Sequence, residues 1–397
     1  MINWITNNLA TAAKSEVNEN GYKIVDVRDM LDKKGNPAKL ILEKIGAAIE
    51  LIKSKHKVVI CCDYGLSRSN SVAIGVLVKH LNWDFDKAAR TVLKKTGKAL
   101  IELGLLNSVR TALGETVKKP DRKTILITGA EGLVGSALCG LLKSKYRLVV
   151  PEKPQTGPIE LDLLVKKFAP GLIIHLADPE VRSTNKAMAE MILNLKNVLD
   201  VCRGNKIPII FPSSLAVFSG YKGKKVIADS SLSPKPGDNY GQAKFLCEVL
   251  LSKSKEVKAA VIRFGSIYGP KSGTIKFIYN FVQKAKKDLP IYTHKYKNGF
   301  PVLDLINVKD AALAIESVMK KKFSGTINIG SGTGLSTFEI AQKIKKACGS
   351  KSKVVFWQMD GSVANIVADS KEAKRFLGWS PKIAFDKGLK EIINYGS

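Results

Sequence analysis

Long apolar runs, patterned cysteines, internal repeats and low-complexity tracts are all missing from this chain of 397 residues. No stretch is apolar for long enough to span a bilayer, so a membrane partner is not expected. The opening MINWITNNLATAAKSEVNEN lacks the basic and apolar regions of a secretory leader. Six cysteines, at 61, 62, 139, 202, 247 and 348, follow neither metal-site nor disulfide-framework spacing. Together these absences point to a reducing, cytoplasmic setting without a metal centre. With 45% apolar and 25% charged residues the composition is that of a globular protein, and the length favours two domains.

Lysine is abundant. The formal net charge is +29: residues 1–120 carry 20 basic against 12 acidic side chains, and the rest of the chain 44 against 23. Such an excess fits nucleic-acid binding, but the lysines are dispersed in short clusters (KGKK, KAKK, KIKK). No basic aromatic strand or recognition helix accompanies them, so solvated lysine faces are favoured over a nucleic-acid partner.

The polar stretch GETVKKPDRK, residues 114–123, separates two patterned regions. The expected division is a first domain at 1–118, a linker at 119–122 and a second domain at 123–397. In the first, YKIVDV and KVVICC read as strands, while PAKLILEKIGAAIELIK and SNSVAIGVLVKHL have helical apolar spacing. In the second, the apolar runs TILITG, RLVV, GLIIHLA, IPIIFPSS and AAVIRFG alternate with helical stretches. That alternation predicts a doubly wound parallel sheet of the α/β class, with a smaller substrate-binding part toward the C-terminus.

Two motifs carry chemistry. In CCDYGLSRSN, Cys62 is followed after five residues by Arg68 and Ser69, between a strand and a helix. A loop in that position, residues Asp63, Tyr64, Gly65, Leu66, Ser67 and Arg68, can turn backbone N–H groups toward an anion at the positive helix end. Arg68 adds a guanidinium fork, and the same field favours the Cys62 thiolate. Ser69 can donate to the departing sulfur. This segment resembles the active-site loop of dual-specificity cysteine phosphatases over about the first 118 residues, with Cys61 in place of the family's histidine. The resemblance implies a general acid on a separate loop; Asp32 is favoured, with Asp29 as the alternative.

In KTILITGAEGLVGSALCGLL, a strand leads through Gly129, Gly132 and Gly135 into a helix, the pattern that brings backbone against a pyrophosphate. Glu131 in this loop and Glu152 beyond the second strand place negative charge where a 2′-phosphate would lie, favouring NAD over NADP. Tyr240 and Lys244 stand one helical turn apart in NYGQAKFLCE, and Ser214 ends the run IPIIFPSS. There Lys244 would hold the nicotinamide ribose and depress the pKa of Tyr240, which serves as base while Ser214 binds the same substrate oxygen.

This half resembles the extended short-chain dehydrogenase/reductases, the NAD-dependent epimerase/dehydratase group, through residues 123–397. The resemblance rests also on LIIHLAD, VIRFGSIYGP, LINVKDAALAI, GTINIGSG and ADSKEAKRFLGWSP. It implies that Leu133, Val134, Leu176 and Ala177 line the cofactor site and that Asp162 lies near the adenine. His175 reads as a core imidazole. Leu303 and Met359 stand where the group has diphosphate-binding arginines, with Lys295 and Lys297 near enough to substitute. Leu215-Ala216 after Ser214 disfavours 4,6-dehydration.

The sequence therefore predicts a bifunctional enzyme, a cysteine phosphatase joined to an NAD-dependent epimerase or dehydrogenase. A small phosphate ester and a sugar-like compound are the expected substrates, and a homodimer is left open. The alternative is a protein or RNA 5′-end phosphatase regulated by an NAD-sensing domain.

Overall fold

A computed structural model describes residues 1–18, 21–97, 100–115, 118–151, 157–181, 183–270 and 276–395. The chain divides into two compact units: Met1–Lys119 with Gly157–Ala169, and Pro120–Thr156 with Pro170–Ser397.

The first unit is built on a four-stranded sheet in the order Asn3–Trp4, Leu9–Ala13, Val58–Cys62, Lys23–Asp26. The last three strands are parallel and the first forms a hairpin with the second. All five residues of Val58–Cys62 are buried, as the apolar run required. The helices expected at the apolar-periodic stretches span Ala38–Lys53 and Arg68–Leu81. The strand Leu9–Ala13 was not expected, since LATAA carries little β signal; Ala10 and Ala12 pack against Val59 in a small core flanked by Ile2, Val17 and Tyr22. Asn82 in the left-handed region ends the second helix.

The second unit holds a six-stranded, wholly parallel sheet in the order Gly325–Ile329, Ala259–Phe264, Ile209–Ser214, Pro170–His175, Asp121–Thr128, Arg147–Val149. All five predicted strands are present. The chain leaves Asp121–Thr128 toward one edge and returns on its other side, so the carboxyl ends of Asp121–Thr128 and Pro170–His175 flank a crevice where the winding reverses. Beyond this sheet, Ser266–Tyr268, Val302–Asn307, Ile366–Ala368 and Val226–Ala228 form a second sheet. Ile291–Lys295 pairs with Val354–Gln358 over a separate core that includes Ile278, Ile340, Ile344 and Leu389.

Two expectations about the boundary need correction. Asp121 and Arg122, placed in the linker, already belong to the first strand of the large sheet, and Asp121 pairs with Pro170. The Asp121 carboxylate accepts from Lys123 N and Thr124 Oγ1, which fixes the start of that strand. The linear division also fails at residues 157–169, which pack with the first unit. There the helix Pro158–Phe168 brings the buried Asp162 carboxylate to 3.9 Å from the Arg110 guanidinium, itself 3.9 Å from the Phe85 ring. Among the described residues no helix is long and apolar enough to cross a membrane, and no cluster of three or more His, Cys, Asp or Glu could hold a metal ion.

A fragment of residues 1–118 lacks the Asp162 carboxylate that faces buried Arg110. Removing one partner of a buried pair costs about 3–5 kcal/mol. Urea unfolding of the fragment should therefore give a clearly lower midpoint than the corresponding transition in the whole chain, and Asp162→Ala in the whole chain should lower that transition in the same direction.

Candidate active sites

A cavity of about 620 Å³ opens at the crevice of the six-stranded sheet. Its wall begins with the loop after Asp121–Thr128. Gly129 has φ +69°, and a Cβ there would lie 2.6 Å from Ala177 N and from the Leu176 carbonyl carbon. A Cβ on Gly135 would come within 2.2 Å of Gly129 O. These positions exclude every other residue without rearrangement, and they bring the N-terminus of the helix Leu133–Leu142 to the cavity mouth. Glu131, Leu133, Val134, Leu176 and Ala177 all line the cavity as expected. Such a cradle fits a pyrophosphate. Glu152 lies outside the described residues. Asp162 does not line the cavity; it belongs to the first unit, opposite Arg110, because its segment is a helix of that unit.

Ser214, Tyr240 and Lys244 line the same cavity. Asp238 caps the helix Asn239–Lys253 by accepting from Gly241 N at 2.8 Å, which sets the first turn carrying Tyr240. Lys244 is buried and donates to Asp178 Oδ1 at 2.8 Å and Pro212 O at 3.0 Å. Its ammonium is 4.7 Å from the Phe211 ring centroid and 5.8 Å from that of Tyr240. Burial, the largest single influence, pushes this ammonium down, but Asp178, through its charge and its hydrogen bond, and Tyr240 together outweigh it and the net direction is up. Ser214 Oγ accepts from Ala216 N at 3.1 Å, so its own proton stays available to a ligand. Beneath it, Ser213 donates to buried Glu248, which takes the Arg263 guanidinium with both oxygens.

Asp178, which lines the cavity and pairs with Lys244, is a site residue that sequence reasoning missed. Its only signal was an acidic residue directly after the strand end IIHLA, and its partner lies 66 positions away. His175 is the core imidazole expected: Nδ1 stands 2.7 Å from Thr128 Oγ1, and the ring stacks on Phe211. Burial, the largest influence, pushes it down to about 4. In the substrate half, Leu303 and Ile366 contribute apolar wall. Buried Asp304 accepts from Ser331 N, Ser331 Oγ, Gly332 N and Ala368 N, pinning a loop and a strand end. Met359 N donates to Lys295 O, the Lys295 ammonium lies 5.9 Å from the Phe300 ring centroid and 5.3 Å from that of Phe356, and neither Lys295 nor Met359 lines the cavity.

The first unit has its own site at the end of Val58–Cys62. Cys62 is buried, with Sγ 3.4 Å from Ser69 Oγ. Burial pushes the thiol up, but hydrogen bonds from the Ser69 hydroxyl and from the N–H groups of Ser69, Gly65 and Tyr64 outweigh it and hold the thiol below its ordinary range. Cys61, on the opposite face of the strand, is pushed up by burial. Gly65 has φ +68°, and a Cβ there would lie 2.6 Å from the Ala12–Ala13 peptide. Asn70 reads the loop from behind, donating to Gly65 O and Leu66 O and accepting from Thr11. Ser67 Oγ accepts from Glu102 N. Arg68 NH1 donates to Arg28 O at 2.9 Å and Met30 O at 3.3 Å, and NH2 pairs with Asp63. Tyr64 is exposed at the loop's tip. Asp29 pairs with Lys44 at 2.8 Å, whereas Asp32 sits exposed in a turn that Asn36 organises.

The sequence matches the family described as the RmlD substrate binding domain over residues 123–370. Two proteins of Bacillus subtilis are similar to it. One, an uncharacterized UDP-glucose epimerase, is 27% identical over 311 residues, which are 68% of this chain and 97% of that protein. The other, a UDP-glucose 4-epimerase, is 26% identical over 324 residues, with 68% and 94% covered. Among solved structures, the Thermus thermophilus UDP-glucose 4-epimerase complex with NAD superposes with a TM-score of 0.60 at 22% identity, covering 68% of this chain and 98% of that one. A dTDP-glucose 4,6-dehydratase of Bacillus anthracis in complex with NAD gives 0.61 at 19%, covering 68% and 96%.

Two measurements check this geometry. Asp178→Ala leaves a buried ammonium with one protein acceptor, and should lower unfolding stability by on the order of 3 kcal/mol, seen in urea titration. His175 is held neutral in the fold at a value of about 4, against 6.5 when exposed. Between these limits the unfolded chain binds the extra proton, so stability falls as pH drops from about 6.5 to about 4, by roughly 3 kcal/mol in total. His175→Gln should remove that part of the acid dependence.

Proposed function

The chain belongs, over residues 123–370, to the RmlD substrate binding domain family, and from that membership we propose that its second unit is an NAD-dependent epimerase or oxidoreductase acting on a sugar nucleotide. The observation that carries this reading is the convergence of Ser214, Tyr240 and Lys244 on the cavity whose mouth is the Gly129–Gly135 turn. NAD, when bound, accepts and returns a hydride. The backbone around Gly132 and the helix start hold its pyrophosphate, and Lys244 directs its remaining N–H toward the cavity. Tyr240 takes the proton of the substrate hydroxyl while Ser214 donates to the same oxygen, so charge does not build on it. Apolar Leu303 and Ile366 exclude water behind the sugar.

A second activity is favoured by the Cys62 loop. The Cys62 thiolate attacks phosphorus of a monoester, the ester P–O bond breaks, and Asp32 gives its proton to the leaving oxygen, since Asp29 is engaged by Lys44. Water then gives a proton back to Asp32 and displaces sulfur, releasing inorganic phosphate and restoring the thiolate, toward which Ser69 donates. The two units together would form a bifunctional enzyme.

Calorimetry should show NAD binding to the whole chain, more tightly than NADP because of Glu131. Incubation with UDP-glucose and NAD should give an epimerised or oxidised product that Tyr240→Phe makes at least about 10²-fold more slowly with NAD affinity retained. Wild-type turnover in that variant would remove Tyr240 from the chemistry. Cys62→Ser should abolish hydrolysis of an aryl phosphate and leave NAD binding unchanged, and iodoacetamide should label Cys62 below the ordinary thiol range of pH.

A further inference from the structure

The phosphate loop carries an acidic residue of its own directly after the nucleophile. Arg68 has three sets of donors, and their engagement is uneven. NH1 is spent on Arg28 O and Met30 O, which fixes the plane of the fork. NH2 is taken by the Asp63 carboxylate, while Nε is buried without a hydrogen-bond partner. The Nε–NH2 edge is the one an oxyanion grips with two parallel hydrogen bonds. One half of that edge is therefore empty and the other is closed by a carboxylate from within the loop.

The neighbouring cation Arg28 lies within electrostatic range of Asp63, but its hydrogen bonds go elsewhere. Arg28 is engaged by Asp26, with Nε–Oδ1 at 3.0 Å and NH2–Oδ2 at 2.8 Å. Asp63 is half exposed, at 49%, against 12% for Arg68, so the carboxylate can leave toward solvent while the guanidinium stays. A phosphate entering the loop must displace it and then share the mouth with its negative charge.

We propose that Asp63 is an internal competitor for Arg68 that makes this loop discriminate against free oxyanions, admitting a phosphate only when the organic part of an ester contributes binding. The inference rests on the reading of the Cys62 loop as a phosphate site. A dianion meets more repulsion from Asp63 than a monoanion does. Inorganic phosphate, which brings no other contacts, is held weakly, and so is the phosphate product of hydrolysis. The acidic residue thus sets specificity and hastens product release in one stroke.

The test titrates the whole chain with inorganic phosphate by calorimetry, comparing wild type, Asp63→Asn and Asp63→Ala, each first checked for wild-type thermal unfolding. Asp63→Asn keeps the side-chain shape and removes the charge. Both variants should bind phosphate roughly tenfold tighter than wild type, and the gain should be larger where phosphate is dianionic than where it is monoanionic. Measurable wild-type binding that stays equal or weakens in both variants would overturn the proposal and make Asp63 a residue that orders Arg68 for its ligand. Absence of phosphate binding from all three proteins would overturn the anion-site reading of the loop, and this inference with it.

Discussion

The second unit depends on a backbone contact that only glycine permits. The peptide at Gly129 lies against the Leu176–Ala177 peptide, and Gly135 lies against Gly129 O. Three elements meet there: the end of Asp121–Thr128, the end of Pro170–His175 and the start of Leu133–Leu142. A single methyl group at either position would force a shift of at least several tenths of an ångström, since real Cβ atoms essentially never approach within 3.0 Å of such neighbours. The crevice, the aim of the helix dipole and the distance from the glycine turn to Tyr240 all follow from that contact. The first unit uses the same device on a smaller scale, with Gly65 against the Ala12–Ala13 peptide.

Both sites also bring a cation out of water, and each sets a carboxylate beside it. Lys244 is buried against Asp178, and Arg68 is mostly buried against Asp63. An isolated buried charge would be too costly to keep, so a counter-charge stabilises each cation. The geometry differs in a way that matters. Lys244 donates to both Asp178 and Pro212 O, whereas Arg68 gives one edge nitrogen to Asp63 and keeps a buried Nε without a hydrogen-bond partner.

Features that are local in the chain were legible in the sequence. The glycine turn, the Tyr240–Lys244 spacing and the C-x5-R-S loop are each contained in fewer than ten residues and imply their own backbone, and the strands and helices around them were found at the expected places. What depends on distant partners was not. Asp178 acquires meaning only when the winding of the sheet brings Lys244 to it. Asp162 looked like an adenine neighbour because the family pattern puts a carboxylate there, yet its segment is a helix whose acidic side chain is opposite Arg110. Leu9–Ala13 is a strand because of what it packs against, not because of its composition.

The segment Gly157–Ala169, with its helix Pro158–Phe168, has a consequence for how the chain is made. It belongs to the first unit but is encoded after two strands of the second, so the nascent first unit ends at Lys119 with a face of it still unsynthesised. The missing piece emerges about fifty residues later, which at bacterial-to-eukaryotic elongation rates is roughly three to ten seconds. During that interval Arg110 has no Asp162, and the two opening strands of the large sheet have each other but not the other four. Folding on the ribosome therefore cannot proceed one unit at a time, and a gene fusion or transplantation that cuts at residue 120 would separate the first unit from its last helix.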